Sequence, residues 1–189
     1  HQHGGNAAAA ARELGVPEWP DRLLDFSVNL NPLGAPAALR QTLMNSDETA
    51  AVYPEPFAET ATAELARHHG LHPERVVVGN GATEIFHWIV SALQPRCAVC
   101  VSPTYHGYHE VCETNGLALE SVSTLSPAAD KRFSASLELP AEADMLFLGT
   151  PNNPTGSLVP VAALVDLAVR HPTCTVVADV SFADFLQDP

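Results

Sequence analysis

The rhythm of apolar positions changes at Arg75. Before it, helical patterns are broken by turn-rich segments. An alanine-rich helical run ends at Leu14, a short apolar stretch covers residues 23–28, and a short helix is expected over 36–44. A connector over 45–56 carries Tyr53-Pro54, and residues 58–69 have the spacing of an amphipathic helix with Leu65 on its apolar side. After Arg75 short apolar runs alternate with helical patterns. Strands are expected over 76–78, 97–101, 117–122, 145–148 and 175–178, with helices over 82–93, 105–114 and 160–170. Short apolar runs closed by turn residues mark strands buried on both faces. Their alternation with helices predicts an α/β fold, a mostly parallel sheet flanked by helices. Residues 1–45 are expected to form an arm or part of a smaller domain, and residues 46–189 part of the larger one. The sequence opens on His1 and runs only a few residues past its last strand, so the sheet is expected to be incomplete and the chain part of a longer protein.

One turn stands out. The run 145–148 is followed by Gly149-Thr150-Pro151-Asn152-Asn153-Pro154-Thr155-Gly156. Pro151 and Pro154 fix two φ angles, and Asn153 is restricted by the proline after it. Such a loop also serves as an ordinary strand-to-helix connection. An asparagine held stiffly past the C-terminal end of a central strand, however, lies where open α/β sheets place ligand contacts.

Three further segments lie at the same rim by this reading. Gly79-Asn80-Gly81-Ala82-Thr83-Glu84 follows a strand and opens a helix. The amides of Ala82 and Thr83, with the Thr83 hydroxyl, face an anion at the positive end of that helix. It is neither a Walker loop nor a G-x-G-x-x-G turn, and a plain N-cap is the simpler alternative. Tyr105, in Pro103-Thr104-Tyr105, is placed to stack on a flat ring or to fill the core. Asp179 ends the last strand, and its carboxylate needs a cationic or protonated partner if buried.

Composition narrows the ligand. Acidic residues outnumber basic ones, 22 against 9, for a formal charge of −13, which disfavours nucleic acid as a partner. No apolar stretch is long enough to span a bilayer and no signal-peptide pattern opens the sequence, so a cytoplasmic location is expected. Cys97 and Cys100 form a C-x-x-C inside a strand, with no second pair to complete a zinc site; they, Cys112 and Cys174 are expected to be buried, reduced thiols. His68, His69 and His72 cluster where a helix ends, which their side chains suit without any metal.

An anion cradle, a stacking aromatic, an amide and an acid are what a phosphorylated pyridine ring requires. Their order and spacing resemble the fold-type I pyridoxal-phosphate enzymes of the class I/II aminotransferase group. The closer resemblance is to the threonine-phosphate decarboxylases of cobalamin biosynthesis, relatives of the histidinol-phosphate aminotransferases. It rests on His3-Gly4-Gly5-Asn6, residues 24–34, Tyr53-Pro54, residues 79–84 and residues 150–156. The resemblance implies pyridoxal 5'-phosphate as cofactor, a phosphorylated amino acid as substrate and a homodimer. It implies that Ala82 and Thr83 hold the cofactor phosphate, Tyr105 stacks on the ring, Asn153 bonds its phenolic oxygen and Asp179 keeps its nitrogen protonated. Tyr53 is implied to reach the phosphate of the partner subunit's cofactor. His3 and Asn6 lie near the substrate phosphate, and Asn29, Asn31 and Gly34 line the substrate pocket. Two positions depart from the pattern. Val180 stands where the family usually has glutamate. The Schiff-base lysine is absent, since the single lysine, Lys131, lies in a polar segment; the 189 residues alone are therefore expected to be catalytically inert. The alternatives are a histidinol-phosphate-type aminotransferase and a truncated domain that catalyses nothing.

Overall fold

The computed structural model describes residues 5–15, 26–46, 51–123 and 137–186. The chain divides into two units, residues 1–56 and 57–189.

The second unit is built on four strands: β1 (Cys97–Ser102), β2 (Ala118–Ser123), β3 (Met145–Gly149) and β4 (Thr175–Asp179). They form one parallel sheet in the order β2-β1-β3-β4. All five residues of β3 are buried, as are the first five of β1. Parallel strands joined by helical crossovers carry helices on both faces, which is why these runs are continuously apolar.

Alternation divides the side chains between two cores. On one face Ala98, Cys100, Met145 and Phe147 pack with Phe86, Val90, Tyr108, Val111 and Cys112. On the other, Val99, Val101, Leu146 and Leu148 pack with Leu167, Val159 and Leu137. In the unit's chain order the helices are α3 (Glu59–His69), α4 (Ala82–Leu93), α5 (Gly107–Thr114) and α6 (Val161–Arg170). Helices α4 and α5 cover the first face, and α6 contributes Leu167 to the second. The N-terminal edges of β1 and β3 are tied by Asp144, whose carboxylate accepts from the Arg96 amide at 2.9 Å and the Cys97 amide at 3.0 Å.

Two expectations need correction or trimming. The expected strand at 76–78 is no part of the sheet. Val76 is extended, but the segment is hemmed between a 3-10 turn (Pro73–Arg75) and Gly79, and Val77 is 69% exposed. A valine run supplies the extended conformation; a strand also needs a neighbouring ladder, and none is made among the described residues. The helix expected from residue 105 starts two residues later, at Gly107. All four cysteines are buried and unbridged. Among the described residues no group of three or more His, Cys, Asp or Glu side chains is placed to hold a metal. There too, no helix is long and apolar enough to cross a membrane.

In the first unit, α1 (Ala7–Glu13) is capped by Asn6, whose Oδ1 accepts from the Ala9 amide at 3.1 Å. Helix α2 (Ala37–Met44) buries none of its residues. The Gly5 amide donates to Ser27 Oγ at 2.9 Å, joining the residue before Asn6 to the turn that follows residue 26.

Candidate functional site

The chain passes from β1 outward to β2 and then returns to lay β3 on the other side of β1. The connections after β1 and β3 thus leave the sheet in opposite directions. A crevice opens between them at the C-terminal ends of the strands, which is where open α/β sheets bind ligands. A pocket of about 250 Å³ lies there, lined by Ala82, Thr83, Tyr105, Asn153 and Asp179 together with Tyr108 and Phe182 among others.

The start of α4 forms one part of this pocket. Gly81 precedes the helix at φ +86°, a left-handed value that only glycine adopts without strain, and no side chain caps the helix. The Glu84 carboxylate turns back to accept from the Asn80 amide at 2.5 Å. The first helical residues, Ala82 and Thr83, are exposed to the pocket. Thr83 Oγ1 lies 3.4 Å from the Tyr105 hydroxyl, which links this end to the aromatic wall.

Tyr105 stands on that wall because of its neighbours. Its ring meets Tyr108 edge-on, with centroids 5.6 Å apart. A β-carbon at Gly107 would collide with the Tyr105 ring, so the bare backbone there makes room for it.

The acid end is more constrained than the sequence suggested. Residues 177 and 179 share a face of β4, the face covered by α4 and α5, so the Asp179 carboxylate meets the Tyr108 hydroxyl. Tyr108 donates to Oδ2 at 2.8 Å. Ser181 donates to Oδ1 twice, from Oγ at 2.6 Å and from its amide at 3.0 Å. Tyr108 is fully buried and stacks on Phe147 at 5.2 Å with 12° between the rings. Burial first, and then the Asp179 carboxylate, push its phenol far above the usual tyrosine range, so it stays protonated and keeps donating.

Asn152 ties the two loops of the crevice together. Its Oδ1 accepts from Thr104 Oγ1 at 2.9 Å; its Nδ2 donates to the Pro103 carbonyl at 2.8 Å and to Thr155 Oγ1 at 2.9 Å. Gly149 leaves the space this requires, since a β-carbon there would sit 3.1 Å from Asn152 Oδ1 and 3.4 Å from the Tyr108 hydroxyl.

Five of the expected site residues, Ala82, Thr83, Tyr105, Asn153 and Asp179, therefore line one pocket. Tyr53, Asn6, Asn29, Asn31 and Gly34 belong to the other unit. There Tyr53 is fully exposed, Asn6 caps α1, and Asn31 Oδ1 accepts from the Leu33 amide at 3.0 Å within a turn closed by Gly34. His3 and Lys131 lie outside the described residues. Sequence reasoning missed Tyr108, Ser181 and Asn152. Tyr108 lies three residues after Tyr105, in the first turn of α5, and Asp-x-Ser is a spacing at which a side chain closes a local turn; both signals were present.

The layered sheet and its rim pocket define an α/β domain with a ligand crevice at a topological switch point. More particularly, the chain belongs to the class I and II aminotransferase family, whose sequence pattern matches residues 21–189. It is 36% identical over 187 residues to the threonine-phosphate decarboxylase of Salmonella typhimurium, covering 97% of this chain and 51% of that protein. The chain thus spans about half the length of that relative. Two solved structures share its fold. The L-threonine-O-3-phosphate decarboxylase of Porphyromonas gingivalis has a TM-score of 0.70 at 24% identity, over 80% of this chain and 45% of that one. The histidinol-phosphate aminotransferase of Sinorhizobium meliloti, in complex with pyridoxal-5'-phosphate, has a TM-score of 0.73 at 23% identity, over 83% and 44%.

Proposed function

We propose that this chain supplies the cofactor pocket of a pyridoxal-5'-phosphate-dependent carboxy-lyase acting on L-threonine O-3-phosphate in cobalamin biosynthesis. The observation that carries this reading is the convergence of Ala82, Thr83, Tyr105, Asn153 and Asp179 on one pocket, joined to the similarity with the Salmonella decarboxylase.

The residues fit the cofactor. The uncapped amides of Ala82 and Thr83 offer donors to its phosphate at a helix N-terminus. The Tyr105 ring is a wall for the pyridine to stack on. Asn153 offers an amide to the phenolic oxygen. The Asp179 carboxylate has only neutral donors among the described residues, which leaves it complementary to a protonated ring nitrogen. Once bound, the cofactor supplies an electron sink for the charge left when a carboxyl group departs. The task of these residues is to bind it, orient it and hold one proton at the ring nitrogen. In the same reading residues 1–45 form an arm, with Asn6, Asn29, Asn31 and Gly34 reading the substrate. Tyr53 reaches a partner subunit in a cytoplasmic homodimer; its full exposure supports that contact.

The second reading, a histidinol-phosphate-type aminotransferase, is supported by 31% identity over 168 residues to histidinol-phosphate aminotransferase 1 of Pseudomonas aeruginosa. Products separate the two. The full-length protein is incubated with pyridoxal phosphate and threonine phosphate, and separately with histidinol phosphate and an oxo acid. Release of carbon dioxide with aminopropanol phosphate supports the decarboxylase, whereas amino exchange on histidinol phosphate supports the aminotransferase.

A further inference from the structure

We propose that Tyr108 and Ser181 are positioning residues that aim the Asp179 carboxylate at the ring nitrogen of bound cofactor. The inference rests on the cofactor reading above and adds to it how the acid is held.

Both oxygens of Asp179 are engaged. Oδ2 accepts from Tyr108 at 2.8 Å. The Tyr108 ring is clamped, stacked on Phe147 and met edge-on by Phe86 at 5.3 Å and by Tyr105 at 5.6 Å. Oδ1 accepts from the Ser181 hydroxyl and from the Ser181 amide, a turn that the backbone itself closes. A carboxylate has about four acceptor sites. Three donors on two oxygens fix its plane and leave one site for a donor inside the pocket, which Asp179 lines. All three donors are neutral. They hold the carboxylate without placing a positive charge where a pyridinium would sit. A salt bridge to arginine would hold the acid equally well and compete with the ring; among the described residues Asp179 makes none. Tyr108 also backs Tyr105, so one buried ring sets both the acid and the stacking wall.

A ligand that lacks the ring nitrogen separates positioning from mere support. Cofactor-free full-length protein is titrated with pyridoxal phosphate and with its carbocyclic analogue, in which a carbon replaces the ring nitrogen. The variants are Tyr108→Phe, which keeps the stacked ring, and Ser181→Ala, which keeps the amide donor. Each is expected to weaken pyridoxal phosphate binding by about 3- to 10-fold, the loss of one hydrogen bond, and to leave the analogue within about twofold. With ring-labelled cofactor, the nitrogen-15 resonance is expected to move toward the neutral pyridine position in Tyr108→Phe. An equal loss for both ligands would overturn the proposal, as would unchanged binding of pyridoxal phosphate. A wild-type protein that binds the two ligands equally would also overturn it while leaving the cofactor reading standing. A protein that binds neither would sink the cofactor reading itself.

Discussion

Replacing Asn152 with alanine tests whether the crevice is assembled by one side chain. Asn152 makes three side-chain hydrogen bonds of 2.8 to 2.9 Å, two of them to the loop after β1 and one within its own loop. A typical hydrogen bond contributes a net ~1 kcal/mol, so three set an upper value of about 3 kcal/mol. Asn152 is half-buried, and water can reach part of what is lost. The expected cost is therefore about 1.5–2.5 kcal/mol in a denaturant titration. The same bonds set the spacing between Tyr105 on one loop and Asn153 on the other. Affinity for pyridoxal phosphate is expected to fall about tenfold, the equivalent of about 1.4 kcal/mol. Thr104→Ala removes only one of the three bonds, the one to Asn152 Oδ1, and is expected to cost about a third as much. A change in stability below about 0.5 kcal/mol with unaltered cofactor affinity would refute the reasoning, since that is the range of surface substitutions.

Three other outcomes are expected. Gly107→Ala pushes the Tyr105 ring off the pocket wall; cofactor binding weakens severalfold and a crystal structure shows the ring displaced. Burial alone would raise the Asp144 carboxyl, but the Arg96 and Cys97 amides and the Arg96 guanidinium outweigh it and hold its pKa below the usual value. Asp144 therefore adds stability that is fully present above its unfolded pKa of about 4 and is lost as pH falls through its lowered folded value. Asp144→Ala is expected to cost on the order of 2 kcal/mol at neutral pH, and the gap to wild type to close in acid, as read from denaturant midpoints across pH. Burial, with Cys100 nearby, pushes the Cys112 thiol up to about 11, so it resists alkylation at neutral pH until the protein unfolds.

The parts of the fold legible in the sequence were those where a local pattern and its tertiary role coincide. The apolar run 145–148 is a buried strand wherever it packs, and the helix at 82–93 begins and ends where its glycine and its apolar spacing say. The valines at 76–78 carry the same local signal, yet a strand exists only against a partner, and that information is not local. The pocket shows the same division. Ala82, Thr83, Tyr105, Asn153 and Asp179 were found because each follows a strand or opens a helix, which places it at the rim by topology alone. Tyr108 was missed because a tyrosine in an apolar helical pattern reads as core. It is core, and its hydroxyl reaches Asp179 only because β4 lies two strands from β1 in the sheet. Asn152 was passed over for Asn153, which the proline after it singled out; the part Asn152 plays shows only in its bonds across the crevice.

The most direct test of the central claim is a product analysis. The full-length protein, loaded with pyridoxal phosphate, is given L-threonine O-3-phosphate, and the phosphorylated product is identified by mass spectrometry. The account predicts aminopropanol phosphate with one carbon dioxide released per turnover. Recovery of the substrate unchanged, or of a phosphorylated oxo acid that keeps its carboxyl group, would contradict it.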